Sequence, residues 1–105
     1  MRVVLLASAE HDLKELRRYI VKNFSLATGK KTYDKLKASI GNLADFPLLG
    51  GIPDELEALN LTQYRQILSG KNRVIFEIRQ DTVFIHVIVD TRRDMVSFLM
   101  ARLVR

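Results

Sequence analysis

The spacing of apolar residues changes part-way along this chain, from the period of a helix to the period of a strand. Between Leu13 and Leu43, apolar side chains recur every three or four positions, as they do in helices that bury one face. From Leu61 onward the period becomes two, as it does in strands with one buried face. Helical and strand patterns separated in this way predict an α+β layer fold, in which helices pack on a sheet.

The N-terminal part of the chain predicts one strand and two helices. Residues 2–7 form a short apolar run that suits a strand, and Ser8 stands where the N-cap of the following helix is expected. Two apolar stripes follow, the first formed by Leu13, Leu16, Ile20 and Phe24 and the second by Tyr33, Leu36, Ile40 and Leu43. Because only a short break near Ser25 separates the stripes, we expect an antiparallel αα-hairpin.

A loop and three strand-like runs make up most of the remaining chain. Residues 46–60 contain both prolines and two adjacent glycines, which predicts a loop or a short irregular turn of helix. The runs LTQYRQIL, RVIFEIRQ and TVFIHVIVD are separated by turn sequences, so three consecutive antiparallel strands are expected. The third run is apolar on both sides through its middle, which predicts a central strand in which His86 shares a face with Phe84 and Ile88.

The predicted order is therefore β-α-α-β-β-β-α, with the N-terminal αα-hairpin packed on a curved antiparallel sheet. A short helix near residues 95–103 closes the chain, and Asp94 or Thr91 is its expected cap. With 105 residues, of which 48% are hydrophobic, the chain has the size and the apolar content of a single domain spanning residues 1–105.

Composition excludes several classes of chemistry. The chain has no cysteine, which excludes disulfides and thiolate catalysis, and with only two histidines neither a metal site nor a cofactor is expected. Its apolar runs are far shorter than the roughly 20 residues of a membrane helix, and acidic residues follow the N-terminal run too closely for a signal peptide. We therefore predict a cytoplasmic protein that does not contact a membrane.

Positive charge is the main functional signal in the residues themselves. Seventeen Lys and Arg against twelve Asp and Glu give a net charge of +5, which favours an acidic or polyanionic partner. If the strands pair as predicted, the cations Arg65, Lys71, Arg73, Arg92 and Arg93 converge on the exposed face and end of the sheet, where guanidinium groups suit phosphate or carboxylate. The same residues are equally consistent with an ordinary solvated sheet face.

Two further side chains have both a packing and a functional interpretation. A lone histidine between aliphatic residues, as in IHV around His86, is more often a packed residue than an acid or base. Tyr64, beside Arg65, is expected to cover the sheet, although it could also stack on a base. Asp90 and Asp94 flank the two consecutive arginines, and we expect them to orient those arginines and to cap the last helix.

The order of elements and several motifs together resemble one family of proteins. The adjacent Tyr64 and Arg65, the NRVIFEI strand, and IHVIVDTRRD followed by a helix ending in RLVR are similar to the RelE/ParE superfamily of toxins from bacterial type II toxin-antitoxin modules. The resemblance covers the whole chain and is most specific in its C-terminal half. It implies one of two activities, because RelE-like members cleave mRNA in the ribosomal A site, whereas ParE-like members poison DNA gyrase.

Two positions decide between these branches. Arg65, Arg73 and Arg93 match basic positions of the nuclease members. However, Ile67 stands where those enzymes carry a second lysine, and Leu99 stands where they carry a tyrosine. Losing two groups that handle protons, each worth about 10²-fold or more in rate, should leave little RNA cleavage.

The resemblance therefore implies a ParE-like toxin that traps the gyrase-DNA cleavage complex, blocks replication and needs no catalytic residue of its own. The residues expected to contact the target are Arg65, Lys71, Arg73, Arg92, Arg93, Asp94 and Arg102. The alternative is a RelE-like, ribosome-dependent mRNA interferase with a non-standard active site formed by Arg65, Arg73, His86 and Arg93, to which Lys71 and Arg92 would add charge.

The ParE-like interpretation also implies partners. A ParD-like acidic antitoxin is expected to fold a disordered C-terminal segment onto the αα-hairpin and the sheet groove, as an amphipathic helix does in an apolar groove. Operator DNA would be bound only through the antitoxin. The chain itself has no helix-turn-helix or zinc-finger pattern, so an independent DNA-binding module ranks last.

Overall fold

A computed structural model describes residues 1–92 and 94–103. The order of elements agrees with the predicted one. The strands are β1 (Arg2–Leu5), β2 (Tyr64–Ser69), β3 (Asn72–Arg79) and β4 (Thr82–Asp90). The helices are α1 (Ala7–Asn23), α2 (Leu26–Gly41), α3 (Asp54–Ala58) and α4 (Met95–Leu103), with a 3₁₀ turn at Asn42–Ala44. None of the described helices is both long enough and apolar enough to cross a bilayer.

The four strands form one sheet in the order β1-β4-β3-β2, so β4 is central as predicted. β2, β3 and β4 pair antiparallel, which confirms the three consecutive strands. β1 instead runs parallel to β4, with Arg2 opposite Thr82 and Leu5 opposite Ile85. The sheet is therefore mixed, and the prediction of an entirely antiparallel sheet was wrong for β1, because the apolar pattern of a strand does not encode the direction of its neighbour.

A β-bulge interrupts the pairing of β3 with β4. Phe76 pairs with Ile85, but Ile75 pairs with Val87, so His86 is an extra residue in β4. The extra residue shifts the alternation of side chains, and Ile88 joins the core beneath the αα-hairpin while Val87 lies on the other side. The prediction that His86 and Ile88 share a face was therefore wrong, since simple alternation does not hold across a bulge.

Helices cover both faces of the sheet. The αα-hairpin packs on one face over a core that includes Leu13 and Leu36 from the helices and Phe76 and Ile85 from the sheet. On the other face, α3 contributes the buried Leu56 and α4 the fully buried Leu99. The face that the sequence led us to regard as exposed is therefore covered by α3 and α4.

Of the two helix caps predicted from the sequence, the structure confirms the one at the start of α4. Ser25 caps α2 by accepting a hydrogen bond from the Thr28 N–H at 3.0 Å, and Asp94 accepts from the Ser97 N–H at 3.4 Å at the start of α4. Ser8, in contrast, does not cap α1. The helix begins at Ala7, because the Leu6 N–H still pairs with the Ile85 carbonyl, and the Ser8 hydroxyl donates to the His86 carbonyl at 3.4 Å.

Candidate functional site

The predicted cationic residues do not converge on one face of the sheet. Arg65 lies opposite Phe76, a residue of the core beneath the hairpin. Arg73 lies opposite Val89, a residue of the core beneath α3 and α4. Since paired residues share a face, the two arginines point to opposite sides, which corrects the predicted convergence.

Arg73 is held in a network that joins α3 to the sheet. Its two terminal nitrogens donate to the two Glu55 carboxylate oxygens at 2.6 and 3.2 Å, and its Nε donates to Gln66 Oε1 at 2.7 Å. Hydrogen bonds from Arg73 hold the pKa of the Glu55 carboxyl below its ordinary value. A target anion would have to displace Glu55 to reach this guanidinium.

Arg65 connects the 46–53 loop to β2 through a hydrogen bond. Its Nε donates to the Gly50 carbonyl at 2.9 Å, and the neighbouring Gly51 carbonyl accepts from the Gln66 N–H at 2.8 Å. A Cβ on Gly50 would lie 2.0 Å from the Gln66 carbonyl oxygen, so this close approach requires glycine. Within the described part of the chain, no acceptor pairs with the terminal nitrogens of Arg65, which leaves them available to a partner.

The corner after β4 is organised by Asp90. Its carboxylate accepts from the Arg92 N–H at 2.8 Å and from the Arg92 guanidinium at 3.0 and 3.1 Å, and the Thr91 N–H donates to the Lys71 carbonyl. The hydrogen bonds from Arg92 lower the pKa of the Asp90 carboxyl. Asp90 therefore orients Arg92, as predicted, and the Arg92 side chain is 70% exposed. Arg93, the other predicted arginine of this corner, lies outside the described residues.

The Arg102 side chain points inward and connects α4 to α1 and β4 through hydrogen bonds. Its terminal nitrogens donate to the two Asp12 carboxylate oxygens, both at 3.1 Å, and one of them also donates to the His86 carbonyl at 2.9 Å. Asp12 Oδ2 further accepts from the Ile88 N–H at 3.0 Å. Asp12 and Arg102 thereby provide hydrogen-bond partners for two backbone groups beside the bulge. These are the Ile88 N–H and the His86 carbonyl, one on each side of Val87.

His86 belongs to a packed polar cluster on the same face as α4. Its Nε2 lies 3.1 Å from Glu77 Oε1, which also pairs with Arg79 at 3.0 Å. The Tyr64 ring meets the imidazole edge-on with a centroid separation of 5.2 Å, and burial, followed by the charge of Glu77, raises the pKa of the Tyr64 hydroxyl. Tyr64 is 7% exposed, which confirms the packing interpretation.

A cavity of about 360 Å³ lies between α1, α2 and the β2–β3 turn, and we call it the hairpin groove. Its apolar wall is formed by Leu16, Tyr19, Ile20 and Phe24. Its positive rim is formed by Lys31, Lys35, Lys71 and Arg92. Tyr19 and Phe24 are 52% and 69% exposed, so much of the apolar wall is open to solvent. An apolar wall with a cationic rim matches an amphipathic helix with acidic residues.

Residues 3–95 match the model of a protein family described as the ParE toxin of the type II toxin-antitoxin system parDE. The chain belongs to the ParE toxin family. A solved structure described as the chromosomal ParDE toxin-antitoxin system from P. aeruginosa is similar in fold, with a TM-score of 0.72 and 15% sequence identity over 86% of this chain and 95% of the other. No curated protein matches the chain significantly in sequence.

In this ParE toxin, the two positions that distinguish nuclease members are occupied by core residues. Leu99 is fully buried against the sheet, and Ile67 packs on the core beneath the hairpin. Of the residues of the alternative nuclease site, Arg65 faces the hairpin side of the sheet. Arg73 and His86 lie on the opposite side, where they pair with Glu55 and Glu77. Among the described residues, no group of three potential metal-binding side chains comes together.

The sequence analysis did not identify several residues that position the site residues of this ParE toxin. Asp12, Glu55 and Glu77 each hold a predicted site residue, namely Arg102, Arg73 and His86. For Asp12 a signal was present, because it lies three residues after the buried Ala9 and four before Leu16, on the inner face of α1. An acidic residue among the apolar positions of a helix is expected to have a buried partner.

Proposed function

We propose that this ParE toxin inhibits DNA gyrase by trapping the gyrase-DNA cleavage complex, thereby blocking replication in the cytoplasm. Membership of the ParE family carries the proposal, and it is supported by the engagement of Arg73 and His86 with Glu55 and Glu77. Under this proposal the chain needs no acid, base or nucleophile, because gyrase itself breaks the DNA and the toxin only has to bind.

The corner after β4 and the outer side of α4 are the proposed target surface. Arg92 and Lys71 provide exposed positive charge there, and Asp94 lies at the start of α4. Val96 and Met100 are 49% and 39% exposed and are one helical turn apart, so they form an apolar stripe beside that charge. Arg102 would support this surface from beneath, by holding α4 in place, while Arg65 and Arg73 would act only at its margins.

A second part of the proposal is that an acidic ParD-like antitoxin neutralises the toxin by placing an amphipathic helix in the hairpin groove. The cationic rim favours an acidic segment, and the exposed Tyr19 and Phe24 would be buried by its apolar face. Operator DNA would be contacted by the antitoxin and not by this chain.

The test compares two target reactions side by side. Purified toxin is titrated into a gyrase supercoiling reaction and into a translation reaction in which mRNA cleavage is followed by primer extension. We expect supercoiling to be lost while the mRNA stays intact. Cleavage of mRNA at codon-defined positions, with gyrase unaffected, would overturn the proposal in favour of the ribosome-dependent nuclease.

A charge-reversed pair of variants locates the target surface. Arg92→Glu is expected to weaken gyrase inhibition at least tenfold, since it reverses an exposed charge beside α4. Arg18→Glu is the matched control, because Arg18 is also exposed and paired with a nearby carboxylate, but lies on the outer side of α1. Equal potency of the two variants would move the target surface away from the corner after β4.

A further inference from the structure

One buried hydrogen-bond acceptor in the hairpin groove has no donor. The side-chain oxygen of Asn72 is fully buried, Asn72 as a whole is 6% exposed, and no described residue donates to this oxygen. Unpaired buried acceptors are unfavourable and uncommon in folded proteins. A donor supplied by a binding partner would remove this defect.

The pairing of β3 directs the Asn72 side chain toward the groove. Asn72 pairs with Ser69 across the β2–β3 turn, and the Ser69 hydroxyl accepts a hydrogen bond from the Ser39 hydroxyl of α2 at 3.4 Å. Asn72 also lies two residues before Val74, whose side chain is in the core beneath the hairpin. The amide is therefore on the hairpin side of the sheet, where Asn72 lines the groove.

The surroundings of Asn72 define what such a donor must belong to. The ammonium group of Lys35 lies beside the turn, since a Cβ on Gly70 would be 3.8 Å from Lys35 Nζ. Lys31 and Lys71 add positive charge, and the only acidic residue among those that line the groove, Asp90, is paired with Arg92. The occupant is therefore acidic overall and has an apolar side facing Leu16 and Ile20.

We propose that Asn72 is the specificity-determining contact of the hairpin groove. Its side-chain oxygen accepts a hydrogen bond from a Ser, Thr, Asn or Gln side chain of the antitoxin, within an acidic amphipathic helix. This inference rests on the proposed antitoxin function. It goes further by stating that one polar donor lies within the apolar face of the helix, at the point nearest the β2–β3 turn.

The test uses two measurements on the same variants. The probe is the small acidic protein that the antitoxin proposal expects to be encoded beside the gene of this chain. Its dissociation constant is measured together with the thermal midpoint of the toxin alone. Asn72→Leu is expected to bind about 10- to 100-fold more weakly, because the donor of the antitoxin is left unpaired. The free toxin is expected to be at least as stable as before, because the unpaired acceptor has been removed.

Two further variants separate recognition from a structural role. Asn72→Ser keeps a neutral oxygen that can accept a hydrogen bond and is expected to bind more tightly than Asn72→Leu. Thr82→Val also removes a buried polar group, but at the opposite end of β4, so its affinity for the antitoxin should be unchanged.

The outcomes distinguish this inference from the proposed function. Failure of the unaltered toxin to bind the probe would contradict the antitoxin proposal itself. Tight binding by the unaltered toxin, together with equal affinity of Asn72→Leu, would overturn only the role of Asn72. A loss of affinity in Asn72→Leu that is accompanied by a fall in its thermal midpoint, and is not relieved in Asn72→Ser, would assign Asn72 a structural role and would also overturn the inference.

Discussion

At the scale of single residues, Asp12 has the most consequential contacts. It accepts two hydrogen bonds from Arg102 and one from the Ile88 N–H, so a single carboxylate connects α1, β4 and α4. The partners lie 76 and 90 residues away in the sequence. The position of α4 therefore depends on Asp12, a side chain in the first turns of α1.

Asp12→Ala is expected to loosen α4. The substitution removes charged hydrogen bonds and leaves a largely buried guanidinium without its carboxylate, at a cost of about 2–3 kcal/mol in the free energy of unfolding. Hydrogen exchange of the α4 amides should become faster relative to the core of β3. Glu15→Ala, an exposed acidic position on the same helix, is the control. Unchanged exchange in α4 would show that α4 is held by its apolar contacts alone.

The Glu55–Arg73 pair should make stability depend on pH. The folded-state pKa of Glu55 is lowered, so its ionised form stabilises the fold above the unfolded-state pKa, and this contribution is lost as the pH falls through the lower folded-state value. At pH 7, Glu55→Gln should lower the free energy of unfolding by about 2 kcal/mol. The difference between the two proteins should shrink below about pH 4.5, as measured by urea unfolding at several pH values. A difference that is constant down to pH 3 would contradict this role.

Sequence reasoning at the residue scale succeeded where the partners are local. The Asp94 cap and the Asp90–Arg92 contact involve residues two or three positions apart, so spacing was sufficient to predict them. The partners of Arg73 and Arg102 come from other elements, and the two arginines therefore looked free in the sequence. Charge in a sequence shows that a residue is polar, but not whether another side chain already neutralises it.

At the scale of elements, the 46–53 loop is joined to the outer edge of β2 by a close backbone approach at Gly50. Pairing with this segment covers part of the edge of the sheet, which reduces the backbone available for unwanted strand pairing. Two glycines are adjacent here, and only one of them is sterically confined.

Gly50→Ala and Gly51→Ala are expected to differ sharply. A Cβ at Gly50 would collide with the backbone of Gln66, so the loop would have to move and the Arg65 contact would be lost, at a cost of about 1–3 kcal/mol. A Cβ at Gly51 meets nothing within 4 Å, and this variant should be close to neutral. Chemical denaturation of both variants measures the difference. Equal stabilities would mean that the loop does not depend on this approach.

Sequence periodicity predicted the elements better than it predicted their arrangement. The two helical stripes and the three period-two runs correspond to α1, α2 and β2 to β4. The parallel pairing of β1 and the bulge at His86 were not predictable in this way, since both are settled by contacts between distant segments. The bulge has a consequence for the site, because beside it the Ile88 N–H donates to Asp12 and the His86 carbonyl accepts from Arg102.

At the scale of the whole molecule, the net charge of +5 should accelerate association with an acidic antitoxin. Long-range attraction is screened by salt, with a screening length of about 10 Å at 0.1 M ionic strength. The association rate constant should therefore fall as salt is raised from 0.05 to about 0.5 M, while the dissociation rate constant changes much less. Surface plasmon resonance measures both constants. An association rate that does not respond to salt would argue against a cationic docking surface.

We propose that this ParE toxin acts by trapping gyrase on cleaved DNA, and the most direct test of this action detects the trapped complex of gyrase with cleaved DNA. Gyrase, plasmid and ATP are incubated with increasing toxin, then treated with detergent and protease, and linear DNA is quantified on a gel. We predict that linear DNA accumulates with toxin concentration and that prior addition of the antitoxin prevents its accumulation. Gyrase that turns over normally and yields no linear DNA at saturating toxin would contradict the proposed gyrase trapping.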